Sequence, residues 1–261
     1  MPLIRIMTAN LWAEHIDVAG FAEVLDRVGA DVVAVQELQE EGAAVITDRY
    51  AHHGLSPHHD TLGTGIATRR PAVIVKLPMY YRSGWVARLD PAHWPELPAP
   101  LEVVCVHFAN PIGFPWWRSV RRRRRQLADL DRYLDGSDGP LVLVGDLNAS
   151  PRWPLYRRLA ARLQDGPVGT GTASRTWRWQ GRGRLLLRID HALTRRVTTL
   201  AAFTVPVPGS DHQALVLDVA IDAGAGPESC GHRQFDGQST ETHARMRMLS
   251  GRIQPSSFRS V

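Results

Sequence analysis

Short apolar runs broken by polar clusters fill the first 221 residues, and their periods separate strands from helices. Leu3 to Leu11 alternates loosely and reads as a first strand that delivers Asn10 to its C-terminal end. Asp17 then caps a helical pattern in which Val18, Phe21, Val24, Leu25 and Val28 share one face, with Gly29 as the stop. Asp31 to Val35 is the next buried strand and ends in Gln36-Glu37. Gln39 to Tyr50 reads as a helix, followed by a histidine-rich solvated loop with His52, His53, His58 and His59, whose spacing matches no particular metal site. Gly65 to Thr68, Ala72 to Leu77 and Gly84 to Leu89 look like antiparallel strands with turn-rich joins. Asp90 to Pro100 holds four of the chain's 18 prolines and must be a loop.

Leu101 to Phe108 is a strong strand ending in His107 and Phe108. After Asn110 and the turn PIGFPWW, Arg118 and Arg121 to Arg125 run into a helix through Tyr133. Five consecutive arginines cover every face of a helix, so some face solvent; the run is either a solvated charge cluster or a phosphate-binding ridge built from Arg118, Arg121 and Arg122. Trp116 and Trp117 just before it suit three settings: the core, a stacked base or a lipid surface.

The most informative stretch is PLVLVGDLNASP, Pro140 to Pro151. Leu141 to Val144 suits a strand buried on both faces, and Gly145 ends it where the backbone must turn. Asp146 and Asn148 follow two apart, so both side chains can point into one cleft; an Asx-rich turn accounts for them equally well. A carboxylate beside a carboxamide suits oriented water and phosphate oxygen. Further on, Arg152 to Leu163 reads as a helix, Thr176 to Trp179 as a short aromatic strand and Gly181 to Arg184 as a turn. Leu185 to Ile189 is a strand delivering Asp190-His191, Val197 to Val207 continues the sheet, and Gly209-Ser210-Asp211-His212 precedes the strand Ala214 to Ile221.

Composition adds bounds. The 261 residues are 44% hydrophobic, enough for one large α/β domain. From about Gly224 the sequence turns to Gly, Ser, Thr, Gln and Arg, and all eight tryptophans precede it, so the domain is expected to span 1–223 and a disordered tail 224–261. Basic residues outnumber acidic ones 31 to 26 for a net charge of +5, and Lys76 is the only lysine; arginine enrichment of this kind reflects phosphate recognition or coding bias. Cys105 lies in an apolar run and Cys230 in the tail, which supports neither a disulfide framework nor a zinc cluster. With no long apolar segment, the expectation is a soluble, cytoplasmic monomer.

The strand-end polar residues are Asn10, Glu37, His107, Asp146, Asn148, Asp190, Asp211 and His212. Oxygen ligands such as Glu37 suit Mg²⁺ or Mn²⁺ rather than zinc, and Asp190 with His212 could form a carboxylate–imidazole pair that favours the imidazolium. A metal, a charged histidine and neutral donors meeting at one point describe a site for charge developing on a phosphoryl group.

The ordered set TANLW, VVAVQEL, GIATRRP, VVCVHF, GDLNASP, RIDHAL and GSDHQAL, from about Leu3 to Ile221, resembles the endonuclease/exonuclease/phosphatase superfamily. The resemblance implies an α+β fold, a DNase I-like four-layer α/β/β/α sandwich of two packed mixed sheets with one active site at an edge. It implies that Glu37 is the main metal ligand, helped by Asn10 and Asp211, and that Asp146 orients or deprotonates the attacking water while Asn148 holds the phosphate. His212, paired with Asp190, would stabilise the transition state or move a proton, and His107 would contact the phosphate from the opposite side. The chain departs from the family's abasic-site enzymes, which carry an acidic residue shortly after the first-strand asparagine; Leu11 and Trp12 stand here, and Glu14, the nearest candidate, is not counted as a ligand.

Three functions compete. The leading expectation is a metal-dependent phosphodiesterase acting on nucleic acid, a nuclease, supported by the arginine run Arg118 to Arg125. The second is hydrolysis of a phospholipid, sphingolipid or other small phosphoester, with Trp116-Trp117 as an interfacial anchor. The third is a non-catalytic binding module, whose expected signature is loss of Glu37, Asp146, Asn148 or His212, and none is lost.

Overall fold

Side-chain alternation along the central strands sorts the apolar residues into three cores, and that sorting fixes the architecture. The computed structural model describes residues 3–13, 15–112 and 115–221. The expected tail, Cys230 and Glu14 lie outside the described residues. One sheet runs in the order β11 (Val197–Pro206), β12 (Gln213–Ile221), β1 (Ile4–Asn10), β2 (Val32–Gln36), β4 (Thr64–Thr68), β3 (His52–Ser56). The other runs β5 (Val73–Leu77), β6 (Gly84–Leu89), β7 (Leu101–His107), β8 (Leu141–Asp146), β10 (Asp190–Arg195), β9 (Gln164–Asp165). Pairs β1–β2 and β7–β8 are parallel and the remaining pairs antiparallel, so both sheets are mixed.

Ile4, Ile6, Val32 and Ala34 of the first sheet pack with Val103, Cys105, Val142, Val144 and Ala192 of the second in a core between the sheets. The alternate residues Met7, Ala9, Val33 and Val35 turn outward onto helices α1 (Val18–Val28) and α2 (Glu40–Thr47). Val104, Val106, Leu141 and Leu143 turn the other way, onto α3 (Trp116–Asp135) and α4 (Pro154–Ala160). The result is the expected four-layer sandwich, in which each fully buried Val or Leu contributes about 1.5–3 kcal/mol relative to an exposed one.

The same period of two positions the chemistry. Counting by twos from the inter-sheet residues of β1, β7, β8 and β10 reaches Asn10, His107, Asp146 and Asp190. The parallel pairs end, and β10 and β12 begin, at one edge of the sandwich, with Asn10 level with Gln36, His107 level with Asp146 and Asp190 level with Asp146. Gly145 is required there: its φ is +136°, and a Cβ would sit 2.0 Å from the carbonyl oxygen of Val106 on the neighbouring strand.

Several sequence expectations change. Asp17 does cap α1, accepting from Gly20 N at 3.0 Å, and Gly29 ends it at φ 60°, but Val18 is exposed. His52 and His53 belong to β3, an edge strand paired with β4, rather than to a loop. The Thr176–Trp179 segment forms only bridges from Trp177 to Leu187 and His212, and Trp179 enters a 3₁₀ turn. The strand expected over Leu185–Ile189 starts instead at Asp190, because antiparallel pairing with β8 begins at Asp146. Trp116 and Trp117 are 65% and 56% exposed, which overturns the core setting for them. Among the described residues no helix is long and apolar enough to cross a membrane.

Candidate active site

Eight expected site residues meet at the strand-end edge through a chain of short contacts. Asn10 Nδ2 donates to Glu37 Oε1 at 3.3 Å and to Asp146 Oδ2 at 3.1 Å, joining the two sheets. Glu37 follows β2 with φ 54°, and its Oε2 accepts from Ala13 N at 3.2 Å. Asp146 Oδ1 accepts from Asn148 N at 2.7 Å, an Asx turn, while Asn148 Nδ2 donates to Asp146 Oδ2 at 2.9 Å and to the Phe108 carbonyl at 3.0 Å. The turn and the cleft are therefore one feature. Asn148 has φ 47°; left-handed, non-glycine backbone at Glu37 and Asn148 costs about 1–3 kcal/mol each and is held by the surrounding bonds.

On the other side, His212 Nδ1 donates to Asp190 Oδ2 at 2.8 Å. Reactive atoms of Asp146, Asp190 and His212 lie within 4.8 Å of one another. Asp211 turns toward the same place: its Oδ1 is 3.6 Å from His212 Nε2, and its Oδ2 accepts from Trp177 Nε1 at 2.8 Å. Ser210 Oγ ties this loop to β1 by donating to the Asn10 carbonyl at 2.7 Å and accepting from His212 N at 3.0 Å.

Burial of so many charges shifts them. Burial, and after it the negative charge of Asp190, pushes Asp146 up to about 7. Burial opposes the charge on His212, but the charge and hydrogen bond of Asp190 outweigh it and raise the imidazole to about 10, so this histidine is a cation at neutral pH. Burial also raises Glu37 and Asp211. His107 behaves oppositely: burial first, then the charges of Arg82 and His212, hold it well below the ordinary imidazole range.

Arg82 was not anticipated from the sequence. It arrives on the turn before β6, donates to His107 Nε2 at 2.7 Å, to the Phe108 carbonyl at 2.8 Å and to Thr61 Oγ1 at 2.8 Å. The turn is clamped on α3, where Arg122 lies 3.9 Å from the Tyr81 ring centroid, Arg125 lies 4.7 Å from that of Tyr80, and Asp129 Oδ2 accepts from Tyr80 N at 2.7 Å. Three further supports were also missed. Gln126 bonds the His107 carbonyl and Ala109 N at 3.0 and 2.8 Å, Arg123 reaches the carbonyls of Ala109 and Leu147 at 2.6 and 3.3 Å, and Thr176 Oγ1 accepts from Asp190 N at 3.2 Å. Of the expected ridge, Arg118 and Arg121 are exposed and Arg122 is half-buried beside Tyr81; the adjacent Arg123 is buried.

Four carboxylates, Glu37, Asp146, Asp190 and Asp211, face one histidinium and one guanidinium in this site. Asp190 Oδ1 and Asp211 Oδ1 are buried acceptors without a hydrogen-bond partner. Unsatisfied buried oxygens in an acidic pocket fit a hard divalent cation.

Over residues 7–212 the chain matches the Endonuclease/Exonuclease/phosphatase family. No curated protein matches it. The fold is similar to that of an endonuclease/exonuclease/phosphatase from Beutenbergia cavernae, with 22% identity and a TM-score of 0.67 over 86% of this chain and 73% of that one. It is also similar to D. rerio TDP2 complexed with a single-strand DNA product (17% identity, TM-score 0.62, 84% of this chain and 99% of that one). A third similar structure is the 3′ phosphatase NExo from Neisseria bound to a product DNA hairpin (16% identity, TM-score 0.61, 82% and 98% covered). The family match over most of the sandwich, together with the acidic site at its edge, establishes that the chain belongs to the endonuclease/exonuclease/phosphatase family of metal-dependent phosphoesterases.

Proposed function

We propose that the protein is a Mg²⁺-dependent phosphodiesterase that cleaves nucleic acid. The observation that carries this reading is the contact chain from Glu37 through Asn10 to Asp146, with the Asp190–His212 pair within reach of it. Glu37, Asn10 and Asp211 hold the cation, which supplies Lewis-acid stabilisation of phosphoryl charge when bound. Asp146, oriented by Asn10 and Asn148, takes the proton of the attacking water as its oxygen bonds to phosphorus and the ester P–O bond breaks in line. Asn148 holds a phosphoryl oxygen by turning one Nδ2 proton away from Asp146 or the Phe108 carbonyl, which otherwise take both. His212, kept charged and oriented by Asp190, offers its Nε2 proton to the developing charge. His107 has no exposed surface, so the role assigned to it is positioning: it backs Asp146 at 3.5 Å and Glu37 at 3.9 Å.

Nucleic acid is favoured as substrate by the exposed tryptophans and arginines of α3, whose inner face touches the loops after β7 and β8. Two of the similar structures hold DNA products. A second reading, a phospholipid or other small phosphoester, rests on the exposed apolar group Ile112, Trp116 and Trp117 at the same end of α3. Mg²⁺-dependent hydrolysis of plasmid DNA, single-stranded DNA, RNA, sphingomyelin and bis-p-nitrophenyl phosphate, with Glu37→Ala as blank, separates the two. Cleavage of nucleic acid that disappears in the blank and in EDTA is the expected result. Turnover of sphingomyelin alone would move the assignment to lipid, and turnover surviving Glu37→Ala would remove the metal site from Glu37.

A further inference from the structure

A cleft of about 580 Å³ opens beside these groups and takes no part in the phosphoryl chemistry itself. Trp12, His15, Arg178, Arg182 and Ser210 are among its walls. Backbone and hydroxyl bonds tie it to the site. Trp12 N donates to Asn10 Oδ1 at 3.0 Å, Arg178 N donates to the Asp211 carbonyl at 3.0 Å, and the Ser210 hydroxyl joins Asn10 to His212. A group held in the cleft therefore lies next to the reacting centre.

Its lining suits an anion attached to flat rings. Many guanidinium groups near the sheets are already paired: Arg5, Arg70, Arg88, Arg162 and Arg188 each form an ion pair. The guanidinium groups of Arg178 and Arg182 have no such partner among the described residues, and Arg178 Nε is buried without a hydrogen bond. Open guanidinium forks beside a phosphoryl-transfer site match phosphate oxygens. Trp12 stacks on His15 with centroids 3.8 Å apart and planes 9° apart, which builds a flat aromatic wall of the kind that accepts a nucleobase. Gly181, at φ 66°, keeps the opposite loop close: a Cβ there would lie 2.9 Å from the Trp12 ring.

We infer that this cleft is a subsite for the nucleotide next to the scissile phosphate, with that nucleotide's own phosphate between Arg178 and Arg182 and its base, unpaired, on the Trp12–His15 wall. The inference rests on the nucleic-acid reading and narrows it. The substrate is a strand with at least two consecutive phosphates and a base free to stack, not an isolated phosphoester.

The test compares the wild type with Arg178→Ala/Arg182→Ala and, separately, with Trp12→Ala, on oligothymidylate and on bis-p-nitrophenyl phosphate, which carries one phosphate. For the arginine variant the expected result is an oligothymidylate KM raised about tenfold or more, with kcat/KM falling at least about tenfold further on the oligonucleotide than on the small diester. Anisotropy of fluorescein-labelled oligothymidylate in EDTA gives a readout free of turnover. There the salt dependence of binding should become shallower by about 0.7, for the one phosphate that the two arginines share. Trp12→Ala should weaken the same binding about fivefold or more without changing that slope. Equal losses on the two substrates, or unchanged KM and salt slope in an enzyme whose wild type does cut DNA, would overturn the subsite and leave the nuclease standing. A wild type that turns over the small diester but neither cuts nor binds the oligonucleotide overturns both.

Discussion

Arg82 Nη1 lies 2.7 Å from Nε2 of His107, and because a guanidinium has only protons to offer, that nitrogen must accept. The ring proton is therefore on Nδ1, and His107 presents a lone pair, not a donor, to the arginine beneath the carboxylates. Arg82 thus brings a positive charge under Glu37 and Asp146 without standing in the open cleft. Arg82→Ala should leave His107 Nε2 without a donor, leave the Phe108 carbonyl with Asn148 Nδ2 alone, and remove that charge, destabilising the protein by about 2–4 kcal/mol. Urea unfolding checks this. Arg82→Lys should recover less than half, since one ammonium cannot span Phe108 and Thr61 as the fork does; full recovery by lysine would mean that charge alone matters.

The acidic site makes a prediction about metal that needs no substrate. Burial raises the Glu37 carboxyl, and its charge in turn raises Asp146, so without cation it adds repulsion. In EDTA, Glu37→Gln should melt at or above the wild-type temperature. With Mg²⁺ at about 100 times its dissociation constant, the wild type should gain about 2.7 kcal/mol and Glu37→Gln should gain little. Calorimetry with and without Mg²⁺ reads both arms. Equal stabilisation of the two proteins would place the cation elsewhere.

Strand periodicity made most of the sandwich legible, because each central strand is buried on both faces and ends abruptly in a polar residue. Asn10, Glu37, His107 and Asp146 could be found that way, since nothing but a strand end puts such a side chain after Val-Val-Ala-Val or Val-Val-Cys-Val. Arg82 could not. It sits in a turn between exposed tyrosines and Ser83, and only the pairing of Trp85 with Cys105 brings it level with the end of β7. Thr176 and Trp177 are β-formers and predict a strand, yet their bonds go to Asp190, Asp211 and His212, which are distant in sequence.

The five-arginine run shows the same limit and yields a prediction. In sequence Arg123 and Arg124 are equivalent, but Arg123 is buried, brought down to about 10 by that burial, and bonded to the carbonyls of Ala109 and Leu147, whereas Arg124 is exposed. Arg123→Ala should cost about 2–3 kcal/mol by stranding buried carbonyls, and Arg124→Ala should stay within about 0.5 kcal/mol of wild type. Matching melting curves for the two variants would refute the clamp between α3 and the strand ends.

Glu102, at the far end of β7 from the active site, gives a pH test. Burial alone would raise its carboxyl, but donors from Arg88 (2.5 Å), Tyr133 (2.7 Å) and Ser137 (2.8 Å) prevail and hold it below the ordinary glutamate range. A group whose folded value is depressed stabilises the fold above its unfolded value, about 4.3, and loses that contribution as pH falls through the folded value. Tyr133→Phe removes one donor to a charged acceptor, so at pH 7 it should lower stability by about 1.5–3 kcal/mol. Once the carboxyl is protonated in both states the bond is neutral, and the difference should shrink to about 1 kcal/mol or less. Urea midpoints of the two proteins should therefore converge between neutral pH and the acid side of the folded value. A gap that stays constant across that range would mean that Tyr133 acts through packing and not through the charge of Glu102.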